Sequence, residues 1–156
     1  MNWQQLCENP DLQNLPYKIE LNERGQIIMS PTRLMHGAYQ FDIARKIGDL
    51  LKKGKIVTEC AVQTRKGTKV ADAAWFSPER WEQVREEFDS PIAPEICVEV
   101  LSPHNSEKEM RDKKRLYFEK GAEEVWICDE QGNMSFYVKR RKLGRSSLVP
   151  EFPKKI

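Results

Sequence analysis

Two apolar runs each carry a single carboxylate, and this pair constrains the chain more than any other feature. Val70-Ala71-Asp72-Ala73-Ala74-Trp75-Phe76 holds Asp72, and Ile96-Cys97-Val98-Glu99-Val100-Leu101 holds Glu99. Runs apolar on both faces read as central strands of a sheet covered on two sides. An unpaired ionised carboxylate in such a place costs several kcal/mol or shifts its pKa upward. Two of them on successive strands suggest a shared cation, because carboxylate oxygens are the usual protein ligands of Mg²⁺, which takes only one or two plus water and phosphate. The competing explanation is that each acid pairs with a Lys or Arg, or ends its strand in solvent. Spacing alone supports the two equally. The deciding observation is whether the carboxyl groups converge within one cation's reach.

The flanking sequence supplies the rest of a mixed α/β (α+β) architecture. Tyr17 to Leu21 and Gln26 to Ser30 are β-prone runs separated by Asn22-Glu23-Arg24-Gly25, a hairpin signature closed by Pro31. From about Leu34 to Lys53, Phe41, Ala44, Ile47 and Leu51 recur at helical spacing, with Ile43 and Leu50 widening the stripe and Gly54 as the stop. Strands follow at Ile56 to Gln63 and Val70 to Phe76. Ser77 caps a helix with Pro78 at its first position, running to about Phe88. After the strand from Glu95 to Leu101, Asn105 or Ser106 caps a helix that ends near Lys120 before Gly121. Glu123 to Cys128 and Met134 to Lys139 form a last pair of strands, and a basic, Pro-containing tail from Leu143 covers the domain or lies loose. The economical arrangement is a mixed central sheet flanked by helices on two sides.

At 156 residues, with 39% hydrophobic and 32% charged side chains, the whole chain fits one domain, 1–156. No apolar run approaches the roughly 18 residues a membrane span needs. Met1 to Leu12 lacks the basic-then-apolar order of a signal peptide, so a cytoplasmic protein is expected. Cys7, Cys60, Cys97 and Cys128 are widely spaced with no CxxC pair, which favours buried reduced thiols over a zinc site. A net charge of +2 neither demands nor excludes nucleic acid. The one basic cluster, Lys139-Arg140-Arg141-Lys142 with Arg145, suits a nucleic-acid backbone or a sheet edge guarded by charge.

Around the two acids, Lys113 shares a helix face with Met110 and Tyr117 at i−3 and i+4. It is either a snorkelling lysine or a cation that stabilises charge on a phosphoryl group. Glu20, near the end of the first strand, is a weaker candidate for a second cation or for orienting water. His36 at a helix start and His104 in a loop read as surface residues. Ser102 precedes a proline without a GxSxG surround, so it is no nucleophile.

Taken together, the residues resemble the Uma-type family of restriction endonucleases over Tyr17 to about Pro153. The marks are Ile19-Glu20-Leu21 with Gly25, Ile28-Met29-Ser30-Pro31, His36-Gly37, Val70-Ala71-Asp72, and Pro94 through Glu99 to Pro103. Lys113 with Tyr117, Gly121 and Glu124-Val125-Trp126 complete the set. The resemblance implies the restriction-endonuclease-like fold of the PD-(D/E)xK nuclease superfamily. It implies Asp72 and Glu99 as ligands of Mg²⁺ or Mn²⁺, with Glu20 as an additional acid. The lysine of that pattern, two residues after the strand glutamate, is replaced here by Leu101, and the resemblance points to Lys113 on the following helix instead. Ala71 stands where the superfamily has proline, and Glu109 lies one turn before Lys113, placed to orient it. The expected activity is metal-dependent cleavage of DNA by a homodimer. The alternative is a nuclease-fold binding or assembly module in which the acids form structural ion pairs.

Overall fold

The computed structural model describes residues 1–156 throughout. After a short capped helix α1 (Trp3–Cys7) and a 3-10 turn, β1 (Tyr17–Leu21) and β2 (Ile27–Pro31) form the antiparallel hairpin that Asn22 to Gly25 predicts. Helix α2 (Leu34–Leu51) follows, then β3 (Lys55–Thr64), β4 (Gly67–Phe76) and α3 (Pro78–Val84). The chain continues through β5 (Ile96–Val100), α4 (Glu107–Glu119), β6 (Glu124–Cys128), β7 (Met134–Val138) and β8 (Arg141–Leu143). Six strands make one sheet in the order β3-β4-β5-β6-β7-β8. Only β5 and β6 run parallel; the helix α4 between them is the crossover such a pair requires.

Packing explains the sheet's position. One face carries Ala73, Trp75, Val98, Val100, Trp126 and Phe136, and meets Ile43, Ala44 and Ile47 of α2. The other face, with Ala74, Phe76, Cys97 and Val125, packs against Val84 of α3 and Tyr117 of α4. Every residue of β5 is buried, as its unbroken apolar run requires. The α2 stripe enters the core through Ile43, Ala44 and Ile47, but Phe41 is 61% exposed and stays outside it. α2 ends at Leu51, with Lys52 in the left-handed conformation, and Gly54 follows at φ +76°. A Cβ at Gly54 would run into the Phe76 carbonyl, so glycine is required where the chain turns against β4.

Other boundaries moved too. α3 stops at Val84 rather than Phe88, and β8 was not foreseen because it is three residues long and charged. The tail is not loose. Val149 and Phe152 enter the core, where the Phe152 and Trp126 ring centroids lie 4.7 Å apart. Cys60, Cys97 and Cys128 are free and buried, and burial pushes the Cys60 thiol up to about 12, in keeping with inert core thiols. No helix is long and apolar enough to cross a membrane.

Candidate active site

The site begins where the sheet stops being regular. The β4–β5 ladder pairs Trp75 with Ile96, Ala74 with Cys97 and Ala73 with Val98, and ends there. One step further, Asp72 and Glu99 stand opposite each other, so their side chains emerge on the same face. The ladder on the other flank of β4 is broken at the same level. Thr58 pairs with Ala73 and Cys60 with Ala71, but Glu59, at φ +54°, pairs with nothing in between. Left-handed backbone at a residue other than glycine costs about 1–2 kcal/mol. Where the β4–β5 ladder ends, the Val100 amide of β5 donates instead to Asp72 Oδ2 at 2.7 Å.

Around this gap the β1–β2 hairpin and α4 close in. Glu20 reaches from β1 to accept the Val70 amide with Oε1 at 2.9 Å, which ties the hairpin to β4. Lys113 on α4 donates to the same Glu20 oxygen at 2.8 Å and lies 3.4 Å from both Glu99 oxygens. Tyr117, one turn on, donates to Glu99 Oε1 at 2.6 Å. All four residues singled out in the sequence, Asp72, Glu99, Lys113 and Glu20, are buried and belong to one cluster. Lys113 therefore does not snorkel to solvent, and Glu20 is not the exposed strand-end acid its position suggested. Glu109 does not orient Lys113; it accepts from Asn105 at 3.1 Å instead.

Two further members were not legible as such. Lys18, on the same face of β1 as Glu20, donates to Asp72 Oδ1 at 2.9 Å and to Glu99 Oε2 at 3.0 Å. The ammonium sits between the two carboxylates. His36, expected at the surface, is buried with Nε2 3.4 Å from Asp72 Oδ2. The available signal was the i, i+2 spacing of Lys18 and Glu20, which puts both on one face once the hairpin is known to dock there. His104 is exposed and takes no part.

Charge explains the titration behaviour. Three carboxylates face two ammonium groups, Lys18 and Lys113, and the half-committed His36. Burial would lower the Lys18 pKa, but Glu99 and Asp72 outweigh it and hold the ammonium charged. Burial works against the Asp72 carboxylate too, yet Lys18 and His36 keep it well below the usual range. Glu99 goes the other way: burial dominates and, with the charges of Asp72 and Glu20, raises its pKa despite Lys113 and Lys18. The hydrogen bond to Asp72 raises that of His36. The cluster thus carries one negative charge more than its lysines neutralise, and is a place where a proton or a cation is drawn in.

The cluster forms the floor of a cleft of about 420 Å³, lined by Lys18, Glu20, His36, Glu99 and Lys113 and walled by the β2 end and the start of α4. No three His, Cys, Asp or Glu side chains come together as a ready metal cage. The acids that converge are two, with an ammonium at their meeting point. Two carboxylates at the floor of the cleft, Glu99 lining it and Asp72 buried beside Glu99, fit the donor set of Mg²⁺, which retains several waters. A cation held by an ammonium's two partners requires Lys18 to give up at least one of them.

No curated protein matches the chain. Among solved structures, it is similar to a protein whose crystal structure, at 1.96 Å, is titled that of "a putative nuclease belonging to DUF820 from Anabaena variabilis ATCC 29413". The TM-score is 0.76 at 19% identity, over 99% of this chain and 94% of the other, a likeness of fold. The mixed sheet flanked by helices is thus a fold that the two proteins share. Residues 3–151 match the Uma2 family, described as "Putative restriction endonuclease". With nearly the whole chain matched, this protein belongs to the Uma2 family.

Proposed function

We propose that the chain, acting as one domain, is a divalent-metal-dependent endonuclease that hydrolyses phosphodiester bonds in DNA. One observation carries the reading: two buried strand carboxylates, Asp72 and Glu99, aim at a single cation position beside Lys113 at the floor of an open cleft. Mg²⁺ or Mn²⁺ held by Asp72 and Glu99 would supply the charge that polarises a phosphoryl oxygen and the acidity that readies a water. The chain's own groups do the positioning. Tyr117 and the Val100 amide fix Glu99 and Asp72. Glu20 holds Lys113 where its ammonium can meet negative charge growing on a phosphoryl group, the task of the lysine that Leu101 displaces. Lys18 acts as a resident counter-ion that keeps the two acids from repelling each other until a divalent cation takes over.

The same Lys18 bridge favours a second reading, a nuclease-fold binding or assembly module whose acids are structural ion pairs. Cleavage separates the two. Purified protein with Mg²⁺ or Mn²⁺ should cut a panel of duplex, single-stranded and branched DNA, and Asp72→Asn should abolish cutting while the fold persists. A protein that cuts nothing across DNA and RNA panels is a module. We further propose a cytoplasmic homodimer, by analogy with nuclease folds that cut both strands; sedimentation that gives a monomer at all concentrations contradicts it.

A further inference from the structure

A strongly basic surface lies beside the cleft, on the far flank of α4. Seven of the eleven residues lining this hollow are Lys or Arg and one is acidic, Glu119, in a chain whose net charge is only +2. Glu119 is already engaged by Arg65 and Arg115. Lys114 and the hairpin residues Lys139, Arg140, Arg141 and Lys142 have no ion pair. Lys114 stands 3.6 Å from the Tyr137 ring centroid and Lys142 5.9 Å from it, so two cations crowd one aromatic ring. Burial together with the Arg111 and Lys142 charges lowers the Lys114 pKa, the signature of positive charge held without a counter-ion.

A guarded sheet edge accounts for part of this, because β8 is the outermost strand. It does not account for Arg111 and Lys114, which come from a helix. Nor does it account for the continuity of the surface. A shallow hollow shares Asn105 and Ser106 with the catalytic cleft and shares Arg111, Lys114 and Tyr137 with the basic one. A continuous surface therefore runs from the acidic cluster over the start of α4, where Arg111 pairs with Glu107 at 4.0 Å, to the β7–β8 hairpin. Exposed Lys and Arg with no partner, next to an aromatic face, suit the phosphates and sugars of a nucleic-acid backbone.

We infer that the β7–β8 hairpin and the adjoining flank of α4 form a second nucleic-acid contact, gripping the sugar–phosphate backbone that leaves the cleft. The inference rests on the nuclease reading for its biological sense but not for its test. Binding of a short fluorescein-labelled DNA duplex is followed by anisotropy in EDTA across a salt series, so no cleavage intervenes. The triple variant Arg140→Ala/Arg141→Ala/Lys142→Ala, at exposed positions, should lower the steepness of log K against log[salt] by about 3, near one per lost phosphate contact. A triple at the remote C-terminal end of α2 and just beyond it, Arg45→Ala/Lys46→Ala/Lys53→Ala, removes the same charge and should leave the slope unchanged. Circular dichroism checks that both fold. No duplex binding by the unaltered protein, equal effects of the two triples, or a hairpin loss seen on anionic phospholipid vesicles but not on DNA overturns the inference. A protein that cuts DNA yet binds it independently of the hairpin sinks this inference alone. One that never cuts but binds through the hairpin sinks only the nuclease reading.

Discussion

Glu99 and Glu124 sit on neighbouring parallel strands, 2% and 1% exposed, and do opposite things. Glu124 is enclosed by neutral donors: Trp126 Nε1 and Ser146 Oγ at 2.7 Å to Oε2, and the Ser147 and Leu148 amides at 2.7 and 3.0 Å to Oε1. It is a staple that draws the C-terminal segment onto the sheet. Glu99 is met by two ammonium groups and a phenol at the floor of a cleft. A buried carboxylate is therefore not a functional signal in itself. What matters is whether its donors are fixed and neutral, completing it, or mobile and charged, leaving it able to exchange one cation for another.

The contrast is broken or sharpened by substitution, starting with the largest effect. Glu99→Gln should reduce DNA cleavage by at least about 10²-fold and also cost about 3 kcal/mol of stability, because Lys18 and Lys113 lose the carboxylate they share. Single-turnover cleavage and urea titration read the two quantities. Glu124→Gln should lose stability alone. In either orientation it places an amide NH₂ against indole or backbone N–H groups that only donate, costing about 3 kcal/mol, and leaves cleavage per folded molecule intact. If Glu124→Gln silences the enzyme at full stability, the division into staple and site is wrong.

Lys18→Met comes next. Removing one partner of a buried ion pair costs about 3 kcal/mol, and here it leaves Asp72 and Glu99 facing each other without a counter-ion. The metal-free variant should unfold at lower urea, and added Mn²⁺ should restore more stability to it than to the unaltered protein. Equal restoration would mean that Lys18 and the metal do not compete.

The smallest effect is that of pH on the metal-free protein. The His36 pKa is raised in the fold by Asp72, so its contribution is fully present below the unfolded value of about 6.5 and is lost as pH rises through the folded value. Stability in EDTA should fall over that window, and His36→Gln should flatten the fall. A slope unchanged in His36→Gln assigns the titration to another group.

Much of this was written plainly in the chain. Asp72 and Glu99 betrayed themselves by charge in apolar strands, and Lys113 with Tyr117 by sharing a helix face. The hairpin β1–β2 was marked by its turn. What stayed hidden depends on docking. Lys18 and His36 look like surface residues until β1 is laid across the interrupted ladder of β4, a contact between positions 54 residues apart that no local pattern encodes. Glu124 escaped for the complementary reason, since its partners lie in a tail with no periodicity of its own.

The central claim is that Asp72 and Glu99 form a cation site for which Lys18 is a resident counter-ion. Calorimetric titration with Mn²⁺ tests it most directly. Binding should be measurable in the unaltered protein, tighter in Lys18→Met, lost in Asp72→Asn and Glu99→Gln, and retained in Glu124→Gln. No binding to the unaltered protein, or binding indifferent to Asp72→Asn, would contradict the account and leave the acids as structural ion pairs.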